Sequence, residues 1–305
     1  MVYRNPYAGA DSFGSGWSKS NFHVHAFPDA SGGPYGASAV VEKYKEAGYD
    51  VVAVLTQGEF IHTEKIAAAS GICTIDGMEY IEEDGILCVG VDSVLQGSPQ
   101  EIIDQVARQG GFSVVAHPHW ESEPGLPMAM PRSHLDSLSG YVGIEIMNPA
   151  IFRGFAGSGL ATDVWDEFLS QGKLVWGFGN DDFHVWPNLD RAWNMVHCEP
   201  TFTGVKAAVT EGRFYASTGL RLEGFELDGL ELNLAVNGGK STLGPVRFRF
   251  VGENGAVLQE SSGDSAGYTL DGSELYVRVE AQAEHGAMLW TQPVYDEERF
   301  TPMWS

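Results

Sequence analysis

Residues 21–27 read Asn-Phe-His-Val-His-Ala-Phe, two imidazoles one residue apart inside an apolar run. If the run is a strand, His23 and His25 leave it on one face while Phe22, Val24 and Ala26 leave it on the other. Such a pair is either two core histidines with internal partners or the start of a metal site. Four further places repeat the pattern of a polar side chain at the end of an apolar stretch. Glu79 follows residues 72–75 through Asp76-Gly77-Met78, and His117 follows 112–116 with Pro118 and His119 behind it. Asn148 ends Ile144-Glu145-Ile146-Met147, and Asn180-Asp181-Asp182-Phe183-His184 follows 174–178 through Gly179. Burying so many ionisable groups together without a cation is costly, and coordination removes that cost. Mixed imidazoles and carboxylates suit Zn²⁺, Mn²⁺ or Fe, whereas Ca²⁺ and Mg²⁺ prefer oxygens alone.

The elements that must position these groups alternate. Short β-branched runs predict strands at 51–55, 72–75, 86–91, 112–116, 142–147, 174–178 and 193–197. Ser98-Pro99-Gln100-Glu101 combines an N-cap serine, a proline at the first helical position and a glutamate three residues past the cap, which predicts a helix to Gly110. Helices are also predicted over 37–47 and 162–170, with Gly48 and Gly172 in reach of their ends. Strand–helix alternation of this kind predicts a parallel sheet, open or closed into a barrel, with chemistry at the carboxyl ends of its strands. After Thr218-Gly219 the pattern turns to alternating strands around an Asp228-Gly229 hairpin signal, so residues 220–305 read as a small antiparallel β domain of sandwich type.

Composition narrows the partners. Acidic residues outnumber basic ones 41 to 18, for a formal charge of −23, and no Lys/Arg cluster occurs, so nucleic acid and anionic membrane are excluded as expected partners. A small ester substrate fits better than a polyanion. Cys73, Cys88 and Cys198 sit in apolar runs, are odd in number and read as free thiols of a reducing compartment. Residues 1–11 have neither the basic nor the apolar region of a secretion signal, so the cytoplasm is the expected location. The β tail leaves homo-oligomerisation open.

Taken in order and spacing, His23-Val24-His25, Glu79 in Asp-Gly-Met-Glu, His117 in Ala-His-Pro and Asp182-Phe183-His184 resemble the motifs of the polymerase and histidinol phosphatase (PHP) superfamily of metal-dependent phosphoesterases. Residues 203–219, ending Gly-Arg-Phe-Tyr-Ala-Ser-Thr-Gly, resemble the closing segment of its stand-alone members, including those related to carbaryl hydrolase. The resemblance covers about residues 20 to 220. It implies an α/β fold, a distorted seven-stranded (β/α) barrel over 1–219 followed by the β domain 220–305, and one to three divalent ions. It assigns His23, His25, Glu79 and Asp182 to a first ion, Glu79 and His117 to a second, and His184 with Asp29 to a third. One departure bears on the third: the strand 51–55 should end Thr-Asp-His and instead runs into Thr56-Gln57-Gly58-Glu59, leaving Glu59 or His62 as substitutes or the position weak.

The activity implied is hydrolysis of a small phosphomonoester or diester by a metal-activated water. His184, His119 or Asp181 would carry a proton, Arg191 and Arg153 would anchor a phosphate, and Trp120 would help wall the substrate pocket. Two other readings stay open: a carboxyl ester or carbamate hydrolase using the same centre, and a catalytically silent metal-binding or ligand-sensing module.

Overall fold

The run carrying His23 and His25 is a longer strand than its apolar core suggests. In the computed structural model, which describes residues 2–10, 13, 15–29, 35–57, 60–81, 85–121, 130–151, 156–237 and 245–304, it spans Trp17–His25 (β1). Six strands follow it across one sheet in chain order: β2 (Val51–Thr56), β3 (Cys73–Tyr80), β4 (Ile86–Val89), β5 (Phe112–Val115), β6 (Gly143–Met147) and β7 (Trp176–Gly179). Both faces of β2 are buried. Val51, Ala53 and Leu55 enter one apolar core and Val52 and Val54 enter another, the signature of a strand covered on both sides.

The sheet is mixed, which corrects the all-parallel expectation. β1, β2 and β3 are parallel, as are β5, β6 and β7, but β4 runs antiparallel to both neighbours. Only residues 81–85 separate Tyr80 from Ile86. A parallel crossover needs about a dozen residues, so the chain has to turn back. β3 also extends past the predicted end at 75, so Glu79 is a strand residue and not part of a turn. The predicted strand 174–178 is broken at Val175: Lys173–Leu174 pairs with Thr301–Pro302, and β7 begins at Trp176.

Helices α1 (Ala37–Glu46), α2 (Glu64–Ser70), α3 (Pro99–Arg108), α4 (Thr162–Ser170) and α5 (Phe202–Thr210) lie between strands. α3 starts as its sequence predicts, with the Ser98 backbone N–H donating to Glu101 Oε2 at 2.8 Å. α1 stops where Gly48 takes φ +82°, a conformation open to glycine at no steric cost.

On the far side of β1 lies β8 (Trp193–His197), antiparallel to it, and β9 (Phe214–Ser217) pairs with β8. The hairpin predicted at Asp228-Gly229 joins β10 (Arg221–Asp228) to β11 (Glu231–Asn237), with Gly229 at φ +60°. β12 (Val246–Val251), β13 (Val257–Gly263), β14 (Ser265–Thr269), β15 (Tyr276–Gln282), β16 (Met288–Thr291) and β17 (Val294–Asp296) complete the tail. β10, β11 and β14 form their own sheet, whereas β15 and β16 attach through β9 to the large one. All three cysteines are free, with Cys88 buried and the other two half-buried. No helix among the described residues is long and apolar enough to cross a membrane.

Candidate metal centre

β1 delivers two imidazoles to one point. A register shift between Asn21 and Val24 bends the strand there, and His23 Nε2 ends 3.0 Å from His25 Nε2. The other nitrogen of each ring is already engaged: His23 Nδ1 lies 2.8 Å from Glu145 Oε1 and His25 Nδ1 lies 3.1 Å from the Leu55 carbonyl oxygen. Those partners can only accept, so both Nδ1 atoms carry hydrogen. In the neutral tautomers both Nε2 atoms are then acceptors facing one another, and only protons or a cation make that contact favourable.

Carboxylates close the cluster. Glu79 Oε1 lies 3.5 Å from His23 Nε2 and Oε2 lies 3.3 Å from His25 Nε2. Asp182 Oδ1 is 3.2 Å from His23 Nε2 and 3.5 Å from His25 Nε2. His117 Nε2 meets Glu79 Oε1 at 3.0 Å, and its Nδ1 is buried with no hydrogen-bond partner among the described residues. His184, half exposed, sets Nδ1 3.3 Å from Asp182 Oδ1. Three sets of groups lie close enough to share an ion: His23, His25 and Glu79; His23, His117 and Asp182; His25, Asp182 and His184.

The donor set fits a metal in spacing as well as chemistry. A tetrahedral ion bound at about 2.0–2.1 Å spaces its ligand atoms about 3.3 Å apart. The contacts of His23 and His25 with each other, with Glu79 and with Asp182 run from 3.0 to 3.5 Å and bracket that spacing, while Glu79 and Asp182 fall in different sets. Backbone strain marks the same residues. His117 (φ +31°) and Asp182 (φ +49°) adopt left-handed conformations directly after strands, which costs about 1–3 kcal/mol each and persists where surrounding bonds enforce it. Glu145, in the middle of β6, does the enforcing: Oε1 also accepts from Asn180 Nδ2 (2.9 Å), while Oε2 accepts from the His117 backbone N–H (3.0 Å) and from Asn148 Nδ2 (3.0 Å).

Electrostatics agree with a site poised for positive charge. Burial would push His23 down, but Asp182, Glu145 and Glu79 outweigh it and hold the imidazole well above its usual range. The same contest, against bonds from Asp182 and Glu79, leaves His25 raised to about 8. Burial opposes ionisation of Glu79, and His23 with the bonds from His117 and His25 reverses this and holds it well below the usual carboxylate range. Asp182 is lowered too, burial again being overcome by His23 and His25. His184 goes the other way, lowered mainly by burial.

The remaining predicted residues divide. His119 Nε2 is paired with both carboxylate oxygens of Asp163 at 2.7 Å, on α4 and outside the three ligand sets. Asp181 is buried and accepts the backbone N–H groups of Asp190 (2.8 Å), Arg191 (2.7 Å) and Ala192 (2.9 Å) and the Tyr44 hydroxyl (2.8 Å). Burial pushes it up to about 6 against those bonds, and its work is to hold the 190–192 segment. Asp29 accepts the Ser38 N–H (2.9 Å) and hydroxyl (2.5 Å) at the start of α1 and belongs to none of the ligand sets. Arg191 is exposed, its Nε donating to the Pro187 carbonyl at 3.0 Å. Trp120 packs edge-on against His117 with ring centroids 4.6 Å apart, and His62 is exposed beside Asp76. Arg153 and Glu59 lie outside the described residues.

Two participants escape sequence reasoning as site residues. Glu145 reads as the polar member of an alternating strand, and the only hint is a carboxylate between two isoleucines. Gln57 reads as a departure, yet its Nε2 donates to Glu79 Oε2 at 2.6 Å and approaches His25 Nε2 at 3.4 Å.

No protein-family model matches the chain, and no curated protein sequence matches it. Among solved structures the chain is similar to a two-domain protein from Bacteroides vulgatus containing a predicted PHP-like metal-dependent phosphoesterase. The two share 15% sequence identity over 91% of this chain and 96% of that one, with a TM-score of 0.50. At that identity the likeness concerns the fold: a mixed α/β chain with one large sheet and few helices, joined to further β structure.

Proposed function

We propose that this chain is a divalent-metal-dependent hydrolase of the PHP type, acting on a small phosphomonoester or phosphodiester. The observation that carries the reading is the pair of Nε2 atoms of His23 and His25, 3.0 Å apart, both barred from donating to each other and flanked by Glu79 and Asp182. Within it, residues 1–219 are the hydrolase unit, built as a distorted seven-stranded barrel from β1 to β7, and 220–305 are an accessory β unit. The curl of the sheet supports the barrel reading, since Phe183 beyond β7 exchanges backbone hydrogen bonds with β1 at His23 (3.2 Å) and His25 (3.1 Å). The stand-alone, carbaryl-hydrolase-related type is part of the same proposal, with Zn²⁺, Mn²⁺ or Fe as the ion.

Bound there, the ion supplies Lewis acidity for an attacking water and for the charge that develops on the reacting group. The chain's own residues do the rest. Glu145 fixes the His23 ring so that Nε2 faces His25, Glu79 and Asp182, the groups with which it would hold an ion, as a carboxylate behind a ligating imidazole commonly does. Asn148 Nδ2 holds Asp182 Oδ2 at 3.2 Å, leaving Oδ1 for coordination. His184, lowered mainly by burial, stands at the exposed side of Asp182 as the proton carrier.

Carboxyl ester or carbamate hydrolysis is the second reading, favoured by the engagement of Arg191 with the Pro187 carbonyl. Release of p-nitrophenol from its phosphate and acetate esters, with the protein loaded with Mn²⁺ or Zn²⁺, separates the two. Turnover of the phosphate ester supports the proposal, preferential turnover of the acetate supports the second reading, and turnover of neither leaves a silent metal-binding module.

A further inference from the structure

At the carboxyl end of β3, beside the metal centre, lies a cavity of about 190 Å³. Gln57 and Glu79, the pair joined by the 2.6 Å bond, line it together with Met78, Ile81, Val94 and Leu95. Among the described residues no lysine, arginine or histidine lines it. Its wall is fixed: the Leu95 backbone N–H contacts Met78 Sδ at 3.1 Å, and the Tyr80 hydroxyl donates to the Gly97 carbonyl at 2.9 Å, tying the 94–97 segment to β3. Ile81 and Val94 remain 40% and 46% exposed.

We infer that this cavity takes the apolar part of the substrate, a group the size of one aromatic ring or a short branched alkyl chain. The inference rests on the hydrolase reading above and deepens it by naming a substrate class: esters bearing a small, uncharged apolar substituent. Three observations converge. Glu79 belongs both to a ligand set and to the cavity lining, so a group lodged there adjoins the candidate metal centre. The volume suits a single ring, given that a dry cavity of about 150 Å³ accepts benzene. Without a cation in the lining, a second phosphate or carboxylate on the substrate would be desolvated unpaired, which selects against doubly charged substrates.

The test uses the full-length, metal-loaded protein and the double substitution Ile81→Gln with Val94→Gln, which adds no charge and alters two exposed side chains. Between phenyl phosphate and methyl phosphate, the variant should lose about tenfold or more in kcat/KM on the phenyl ester, mostly through KM, and change less than about twofold on the methyl ester. Equal losses on both esters, or no loss on either, overturn the inference. Phenol binding followed by ligand-observed NMR reads the cavity without turnover. Wild-type binding that weakens about tenfold in the variant supports it even if no ester is hydrolysed, in which case the hydrolase reading alone has failed. No phenol binding by the wild type, or equal binding by both proteins, overturns it.

Discussion

Around Arg278 and around His23 the chain buries ionisable groups in comparable number but assembles them in opposite ways. Arg278 sends Nε and Nη2 to the two oxygens of Asp166 at 2.7 and 2.6 Å and Nη1 to Glu280 at 2.7 Å, while the Tyr276 hydroxyl adds a 2.8 Å bond to Asp166 and Arg249 reaches Glu280 at 2.9 Å. That cluster contains its own permanent cation, and its charges are met by fixed, directional donors. At His23 the carboxylates of Glu79, Glu145 and Asp182 pair with imidazoles, and among the described residues no lysine or arginine forms an ion pair with them. Positive charge there has to arrive as protons or as a metal. The first arrangement fastens β15 to α4; the second gathers groups whose chemistry suits a bound cation.

The sharpest way to break this comparison is to damage each cluster in turn. His25→Ala or Asp182→Ala should lower metal stoichiometry by elemental analysis and reduce hydrolysis by about 10³-fold, with far-UV circular dichroism unchanged. Arg278→Ala should do the reverse. Leaving Asp166 buried without its partner should cost about 3–5 kcal/mol in urea unfolding while metal content per folded chain stays at the wild-type value. If Arg278→Ala lost metal, the two clusters would be one coupled unit and the distinction would fail.

A smaller effect sharpens the roles inside the metal centre. Glu145→Gln keeps the shape but leaves one acceptor oxygen for the four donors that two carboxylate oxygens now serve, so the His23 ring loses its fixed orientation and metal affinity measured against a competing chelator should fall about 10–100-fold. The smallest effect concerns protons. His25 is raised in the folded chain to about 8 from an ordinary 6.5. A raised imidazole favours the folded state fully below about pH 6.5, and that contribution disappears as the pH climbs through 8. It amounts to about 2 kcal/mol. Thermal unfolding in chelator should therefore drop between pH 6 and pH 9, and added metal should offset the drop.

Comparing the two clusters also shows what a sequence can display. The strand Trp193–His197 and the helix Thr162–Ser170 match their predicted limits, because alternation and the helical period are local. His23, His25, Glu79, His117, Asp182 and His184 were legible as candidate ligands because each interrupts or ends an apolar run, and the fold brings them into the three sets. Glu145 was not, since alternation allows one carboxylate in a strand whose other face is covered, and only the fold reveals that four donors from β1 and the segments after β5, β6 and β7 meet on it. Asp181 and Asp182 make the point most closely. Neighbours of identical type, they are sent apart by one left-handed backbone step, one to backbone amides and the other to imidazoles. The direction of β4 was hidden for a related reason: the length of the link after Tyr80 decides it, and that length is unknown until β3 is seen to continue past Ile75.

The pairing of β9 with β16 has a practical side. Because Tyr215, Ala216 and Ser217 are hydrogen-bonded to the 289–291 segment, trimming the polypeptide after Gly219 would strip a hydrogen-bonding margin only two positions along the sheet from the strand that bears His23 and His25. A raw margin of that sort invites edge-to-edge stacking of molecules, so any attempt to isolate the ligand-bearing half would meet clumping before it met a question of chemistry.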